Sequence, residues 1–410
     1  MNGSKATRKP LRRIDERRII YAAGLLRAVA NGLIGVIAGI YLAKLGFDAA
    51  AIGAVLSAGI AGATLAAGYV TLWGDRVGRR RGLMLLAGLS AAGGLAVALA
   101  SDELVVGVAA FVGMLNALGK DRAAALALEQ AILPGTVEAA GRTRMFAWYN
   151  LIQDIGHGVG AALATLPYLL RVAGGFSELG SLRAAVLLYA SLFAAAALLY
   201  ALLGPRAEAA GREEKLRLAS DSRAILTRMS LLFALDSFAG GFLGSALFAY
   251  FFYQRFGVSE AEIGVLFVGA RIMNAFSHLG AAWLAQRIGL VRTMVFTHTP
   301  SSLLLLTIPF ADHFGAAALL FLLREGLSEM DVPTRQSYLM AVVRPEERTF
   351  AGGVTNLARM AARAFAPVLA GSAMQAFALW TPLAAAALMK IGYDWLLYAS
   401  FRGVKPPEER

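Results

Sequence analysis

Asp121, Asp154 and Asp236 each stand inside a long apolar run, where a carboxylate is suited to one kind of chemistry. In a poorly hydrated cavity a carboxyl holds its proton more tightly, so it can load and release one near ordinary pH. His157, three residues after Asp154, either relays such a proton or simply makes a hydrogen bond. The other polar residues at mid-run depth suit solute binding: Arg27, Asn31, Asn116, Asn150, Arg271, Asn274, Glu325, Asn356 and Arg359. Helical spacing groups them. Asn150, Asp154 and His157 share one helix face, as do Arg271, Asn274 and His278, and Asn356, Arg359 and Arg363. Asp121 and Glu129 share another through Ala125. Such stripes cannot point at lipid, so they line a wet cavity or pair inside a bundle. Pairing is the reading for charges nearer the helix ends, such as Glu129 and Arg335.

The elements that must carry these residues follow from composition. The chain has 410 residues, 58% of them hydrophobic, 16% charged, with a mean hydropathy of +0.61. A soluble protein of this size could not cover so much apolar surface, so the class is a polytopic membrane protein. At about 20 apolar residues per crossing, spans fall near 19–44, 50–73, 82–100, 104–134, 143–170 and 183–203. After a charged gap come 229–256, 260–284, 291–310, 314–343, 347–376 and 380–401. Twelve spans in two sets of six give residues 1–203 as a first bundle, 204–228 as a linker and 229–410 as a second bundle. The first apolar run is too long for the core of a signal peptide and reads as a retained helix.

The net charge of +12 does not indicate nucleic acid, because the basic residues cluster in the termini and in alternate loops. On the side of the termini 26 Lys and Arg accumulate, against four (Lys44, Arg171, Arg183 and Arg255) in the opposite connections. That asymmetry predicts both termini in the cytoplasm and a multi-pass protein of the inner or plasma membrane. With no cysteine and four scattered histidines, neither a disulfide framework nor a metal or cofactor site is expected. No Ser/His/Asp set supports an enzyme.

The second and third spans are joined by Trp73-Gly-Asp-Arg-Val-Gly-Arg-Arg-Arg-Gly82. Asp75, Arg76, Gly78, Arg79 and Arg80 resemble the loop signature of the major facilitator superfamily. The family's leading glycine is replaced by Thr71. An internal repeat supports the likeness: residues 44–53 match residues 255–264 at an offset of 211, which carries Asp75-Arg76-Val77-Gly78 onto Gln286-Arg287-Ile288-Gly289. The resemblance implies an all-α membrane fold of two pseudo-symmetric six-helix bundles. It also implies a conformational latch at Asp75, Arg76, Gly78 and Arg79, with Asp75 against the chain near residues 346–349.

The implied function is secondary active transport by alternating access. Its expected form is proton-coupled efflux of a small amphipathic compound by a monomer in the lipid bilayer. Asp331 to Tyr338, with the segment after it, resembles a pattern of bacterial exporters in the superfamily, and Pro333 could kink the tenth span. The antiporter glycine–proline signature is absent from the fifth span. The alternatives are uptake or exchange of an organic or phosphorylated anion, suggested by the core arginines, and a non-transporting receptor. The glycine pairs Gly156/Gly160, Gly35/Gly39 and Gly240/Gly244 read as close helix packing, and Phe248 to Phe252 as an interfacial belt.

Overall fold

Long apolar stretches with few internal breakers leave the backbone no partner but itself, so the chain is helical wherever it crosses the apolar layer. The computed structural model describes residues 15–119, 124–138, 141–204, 207, 220–342 and 348–401. The helices of the first half are α1 (Glu16–Lys44), α2 (Ala49–Val77), α3 (Arg79–Leu99), α4 (Glu103–Val112), α5 (Ala124–Ile132), α6 (Arg142–Leu163), α7 (Leu166–Gly174) and α8 (Glu178–Ala201). The second half has α9 (Ser220–Gly241), α10 (Ser245–Phe256), α11 (Glu260–Ile288), α12 (Leu290–Thr307), α13 (Phe314–Ser328), α14 (Asp331–Val342), α15 (Arg348–Ala364), α16 (Ala366–Ala376) and α17 (Thr381–Phe401). They make twelve crossings in two six-helix bundles.

Five crossings are broken into two helices, which hydropathy alone had joined. The fourth is split between α4 and α5, the seventh between α9 and α10, and the tenth between α13 and α14. The fifth and eleventh carry shorter interruptions before Leu166 and Ala366, each with a proline at the start of the new helix. Proline lacks the N–H that a continuous helix would use, so it begins a segment more easily than it continues one. α9 starts at Ser220, inside the stretch expected to be linker.

The repeat is visible in the backbone. Gly46 and Gly257 have φ of 91° and 66°, and Gly78 and Gly289 have φ of 91° and 85°, each pair separated by the same 211 residues. Side chains strain these turns and glycine does not, so both halves bend at corresponding places. Asp48 and its counterpart Ser259 also share a role: each accepts a backbone N–H three residues on and starts the next helix.

α1 packs against α6 and α8 within its half, and against α10 across the interface. Glycine lets these helices close. A Cβ on Gly160 would meet Val29 O at 2.1 Å, and one on Gly39 would meet Ala246 O at 2.3 Å. The Phe248–Phe252 run is not an interfacial belt. Phe248, Phe251 and Phe252 are fully buried and stack with Phe256, Phe314 and Phe321. α10 is covered by α1 on one side and by its own bundle on the other, so its aromatic residues became core.

At the end of the molecule that carries the 44–49 and 256–260 turns, the halves meet closely. Gly53 of α2 and Gly371 of α16 admit backbone of the partner helix: added Cβ atoms would lie 2.3 Å from Pro367 O and 2.1 Å from Ala49 O. Gln375 spans the junction, accepting from Ala50 N at 3.1 Å and donating to Asp48 Oδ2 at 2.9 Å. Arg171 of α7 pairs with Glu260 of α11 at 2.5 Å. Lys44 pairs with Glu178 and lies over the Tyr253 ring, 5.3 Å from its centre. Asp48 lies outside the helices, and the N–H of Ala51, aided by the Gln375 amide, holds its carboxyl below the ordinary value.

Candidate functional site

The breaks at α9/α10 and α13/α14 open a cavity of about 140 Å³, walled almost wholly by the second half. Among the described residues only Leu118 represents the first half there. Phe248, Phe267 and Phe321 form an apolar wall. Among the other lining residues are many charged ones, with arginine or lysine contributed by α11, α13, α14, α15 and α17.

Behind the cavity lies a buried charge cluster drawn from four crossings. Asp236 of α9 receives Arg335 at 3.0 Å on one oxygen and Lys390 at 2.9 Å on the other. Arg335 also pairs with Asp331, one turn earlier on α14, at 2.6 Å. Lys390 of α17 is 3.1 Å from His298 Nε2, and His298 Nδ1 is 2.8 Å from Asp394 Oδ1. Thr299 donates to the other Asp394 oxygen at 3.1 Å. Buried charges are tolerated only when paired in this way. Donor atoms of Asp236, His298 and Asp331 lie within 4.8 Å of one another, as a metal would require. Lys390 and Arg335 already supply the cations for that donor set, so it does not fit an ion as it stands.

His298, Lys390 and Asp394 were not among the residues picked from the sequence. The signal was present: Lys390 and Asp394 sit one helical turn apart, mid-span, with opposite charge.

A second cluster closes the first half. Arg27 pairs with Glu129 at 3.1 Å, and the two side chains are 1% and 0% exposed. Tyr149 and Tyr200 each donate to Glu129 at 2.5 Å, and Arg27 donates to the Tyr200 hydroxyl at 2.7 Å. Arg27, expected as a solute contact, is held in this ion pair and also lines a cavity of about 30 Å³. The pairing follows from α1 lying between α6 and α8, which brings both tyrosines onto one carboxylate.

The other expected residues separate into groups. Arg271, Glu325, Arg359 and Asp236 line the main cavity. Arg271 also reaches across the halves to Gly119 O at 2.9 Å, Glu325 is paired with Arg324, and Arg359 donates to Ser237 at 2.9 Å. Asn116, Asn356 and Arg359 meet at a smaller cavity of about 30 Å³ between the halves. Asn31 and Asn116 border another of about 30 Å³ beside Arg27. Asn274 is buried with its Oδ1 unbonded among the described residues, and it borders none of these three cavities.

The α6 stripe divides. His157 is buried, whereas Asn150 and Asp154 are exposed. At about 100° per residue, Tyr149, Gln153, Gly156 and Gly160 define the face packed on α1, leaving the stripe at its margin. Asp121 lies outside the described residues, as do the side chains of Asp75 and Arg76. Of the loop, Gly78 makes the tight turn, and Arg79 and Arg80 donate to Ala131 O (3.1 Å) and Ala201 O (2.6 Å). Both bonds brace the first half.

Comparison with known proteins agrees with this architecture. The chain is similar over 94% of its length, and 94% of the other's, to an uncharacterized membrane protein of Saccharomyces cerevisiae, at 23% identity. It shares its fold with the nucleoside transporter NupG, with a TM-score of 0.73 at 15% identity over 95% of this chain and 100% of that one. A bacterial homologue of the human lysosomal transporter Spinster, inward-facing and occupied, gives 0.73 at 14% identity, covering 94% and 96%. The Escherichia coli xylose transporter XylE, partially occluded and inward open, gives 0.71 at 13% identity, covering 97% and 100%. The model of the Major Facilitator Superfamily matches residues 20–367, and the chain belongs to that superfamily of transporters.

Proposed function

We propose that this protein is a proton-coupled secondary transporter that moves a small amphipathic anion by alternating access, with the 140 Å³ cavity as its binding chamber. The observation that carries the reading is the charge of the cavity wall. Arg271, Arg324, Arg335, Arg359, Arg363 and Lys390 face it, against Asp236, Glu325, Glu329 and Asp331. That excess favours a carboxylate or phosphate on the solute. The wall of Phe248, Phe267 and Phe321 suits an apolar ring or chain beside it. This composition supports the anion alternative over a neutral or cationic amphipathic compound.

The distribution of basic residues orients the molecule. The tightly joined end carries the sparse set Lys44, Arg171, Arg183 and Arg255, so it faces away from the cytoplasm. With that end sealed by α2–α16 and α7–α11 contacts, the state is inward-facing, with the termini and the connection from α8 to α9 on the cytoplasmic side. Asp236 and Asp154 remain the carboxylates of interest for coupling, with Asp121 beside them in the sequence reading.

The test is purified full-length protein in vesicles loaded with a pH-sensitive dye. Small aromatic and aliphatic carboxylates or phosphates, added outside, should shift internal pH, and the sign of the shift separates symport from antiport. Asp236→Asn should abolish the shift. Movement of neutral solutes only, with no pH change for any anion, would refute the assignment.

A further inference from the structure

Six side chains make up the buried cluster behind the cavity, and their formal charges do not cancel. Asp236, Asp331 and Asp394 are opposed by Arg335 and Lys390, so with His298 neutral the cluster carries one net negative charge. One added proton balances it. The hydrogen bonds say where that proton can go. An ionised carboxylate only accepts, so Asp394 requires a hydrogen on His298 Nδ1, 2.8 Å away. His298 Nε2 and Lys390 Nζ are 3.1 Å apart, a distance that holds a single hydrogen between two nitrogens. With Lys390 as the ammonium, Nε2 is the acceptor and is the unprotonated basic atom of the cluster.

We propose that His298 Nε2, poised between Lys390 and Asp394, is the site that carries the coupled proton, and that its protonation displaces the Lys390 ammonium toward the cavity to meet the anionic solute. The step is a simple addition. A hydronium ion gives its proton to the Nε2 lone pair, so an N–H bond forms as an O–H bond breaks and water is left; on the other side that N–H bond breaks and a water takes the proton as hydronium. Two N–H groups cannot face each other at 3.1 Å, so an imidazolium at residue 298 excludes Lys390 from its present contact. The imidazolium can then turn its new N–H to Asp236 Oδ1, now 4.0 Å away. Lys390 lines the cavity, so it enters that space when it yields Asp236. Proton binding and anion binding would thereby favour each other, which is the linkage a symporter needs.

The groups that face this pair from neighbouring elements are Asp236 of α9, the Arg324–Glu325 pair of α13, Asp331 and Arg335 of α14, Arg359 of α15, and Tyr393 of α17. Of these, Asp236 is the carboxylate nearest Nε2. The inference rests on the proton-coupled reading above, but its first test does not depend on transport.

The chain has four histidines, so ¹⁵N-histidine spectra of the full-length protein in nanodiscs are tractable, with His298→Gln assigning the signal. His298 should show a protonated Nδ1 and a bare Nε2 in alkaline medium and acquire the Nε2 proton on acidification, as the hydrogen bonds to Asp394 and Lys390 require. Removing the competing ammonium in Lys390→Met should let His298 hold its proton about tenfold more tightly, and Asp394→Asn about tenfold less. His298→Gln in dye-loaded vesicles should uncouple solute movement from pH change. A residue 298 that stays neutral throughout, or titrates identically in Lys390→Met and Asp394→Asn, would overturn the proposal. If His298 titrates as expected but no solute moves protons, the transport reading fails and the proton site stands.

Discussion

Replacing Glu129 by Gln is the most direct test of the buried pair in the first half. The exchange preserves shape and removes the negative charge paired with Arg27, itself 1% exposed. Breaking a buried pair by removing one partner costs about 3–5 kcal/mol, because a charge is left uncompensated. Two further contacts push the cost toward the upper value. Tyr149 and Tyr200 both donate to Glu129, and a glutamine amide has one accepting oxygen, so one hydroxyl would face an N–H. At 1.4 kcal/mol per decade, the folded-to-unfolded ratio should fall by roughly two to three and a half powers of ten. Denaturant or thermal unfolding of the detergent-solubilised protein, followed by its tryptophan fluorescence, reads this change. The combination Arg27→Met with Glu129→Leu removes both charges and should recover most of the loss, leaving about 1 kcal/mol for each stranded tyrosine hydroxyl. It should also leave solute binding intact, since Arg27 is held away from the main cavity. A single variant that loses less than about 1 kcal/mol, or a double variant no more stable than the single, would refute the reasoning.

The sealed end offers three further checks. Gln375→Ala removes both bonds across the α2–α16 junction, which at about 0.5–1.5 kcal/mol each should raise the outward-open fraction several-fold. The chain contains no native cysteine, so Ile60→Cys can report that opening as faster labelling by an impermeant maleimide; an unchanged rate counts against the clasp. Gly53→Val places methyl groups where Pro367 O now sits, so closure of this end should be blocked and transport lost while the helical content is kept. Preserved turnover would show that the junction is not a tight backbone contact. Acid should loosen the same clasp. The Asp48 carboxyl is held below its ordinary 3.8, so its contribution is complete above that value and disappears as pH falls through the lowered one. Asp48→Asn should flatten this dependence in the maleimide assay.

The crossings, the two halves and the tight turns at Gly78 and Gly289 were legible because hydropathy and a constant repeat offset report them directly. The helix breaks were not. An apolar run reads the same whether one helix or two lie within it, and what parts α9 from α10 is the approach of α1 and the 117–119 segment to Ser245 and Ala246. Burial of single polar groups was also unreadable. Arg27 and Arg271 stand at similar depth in their spans, but Arg27 meets Glu129 inside one half and Arg271 reaches across to Gly119. Of the His298–Lys390–Asp394 group, the sequence shows only the Lys390–Asp394 spacing, because His298 stands alone on another span. Only packing of α12 on α17 brings them together.

Among the described residues the cavity is lined almost wholly by one bundle, and this has an evolutionary corollary. On the proposed reading, recognition and leverage would reside in different modules: residues beyond the linker would choose the cargo, while the earlier bundle would supply a counter-surface and a fulcrum in α1. Selectivity in such a molecule can drift through substitutions in one bundle without disturbing the rocking machinery, and a hybrid carrying a foreign first bundle should inherit the preferences of its second.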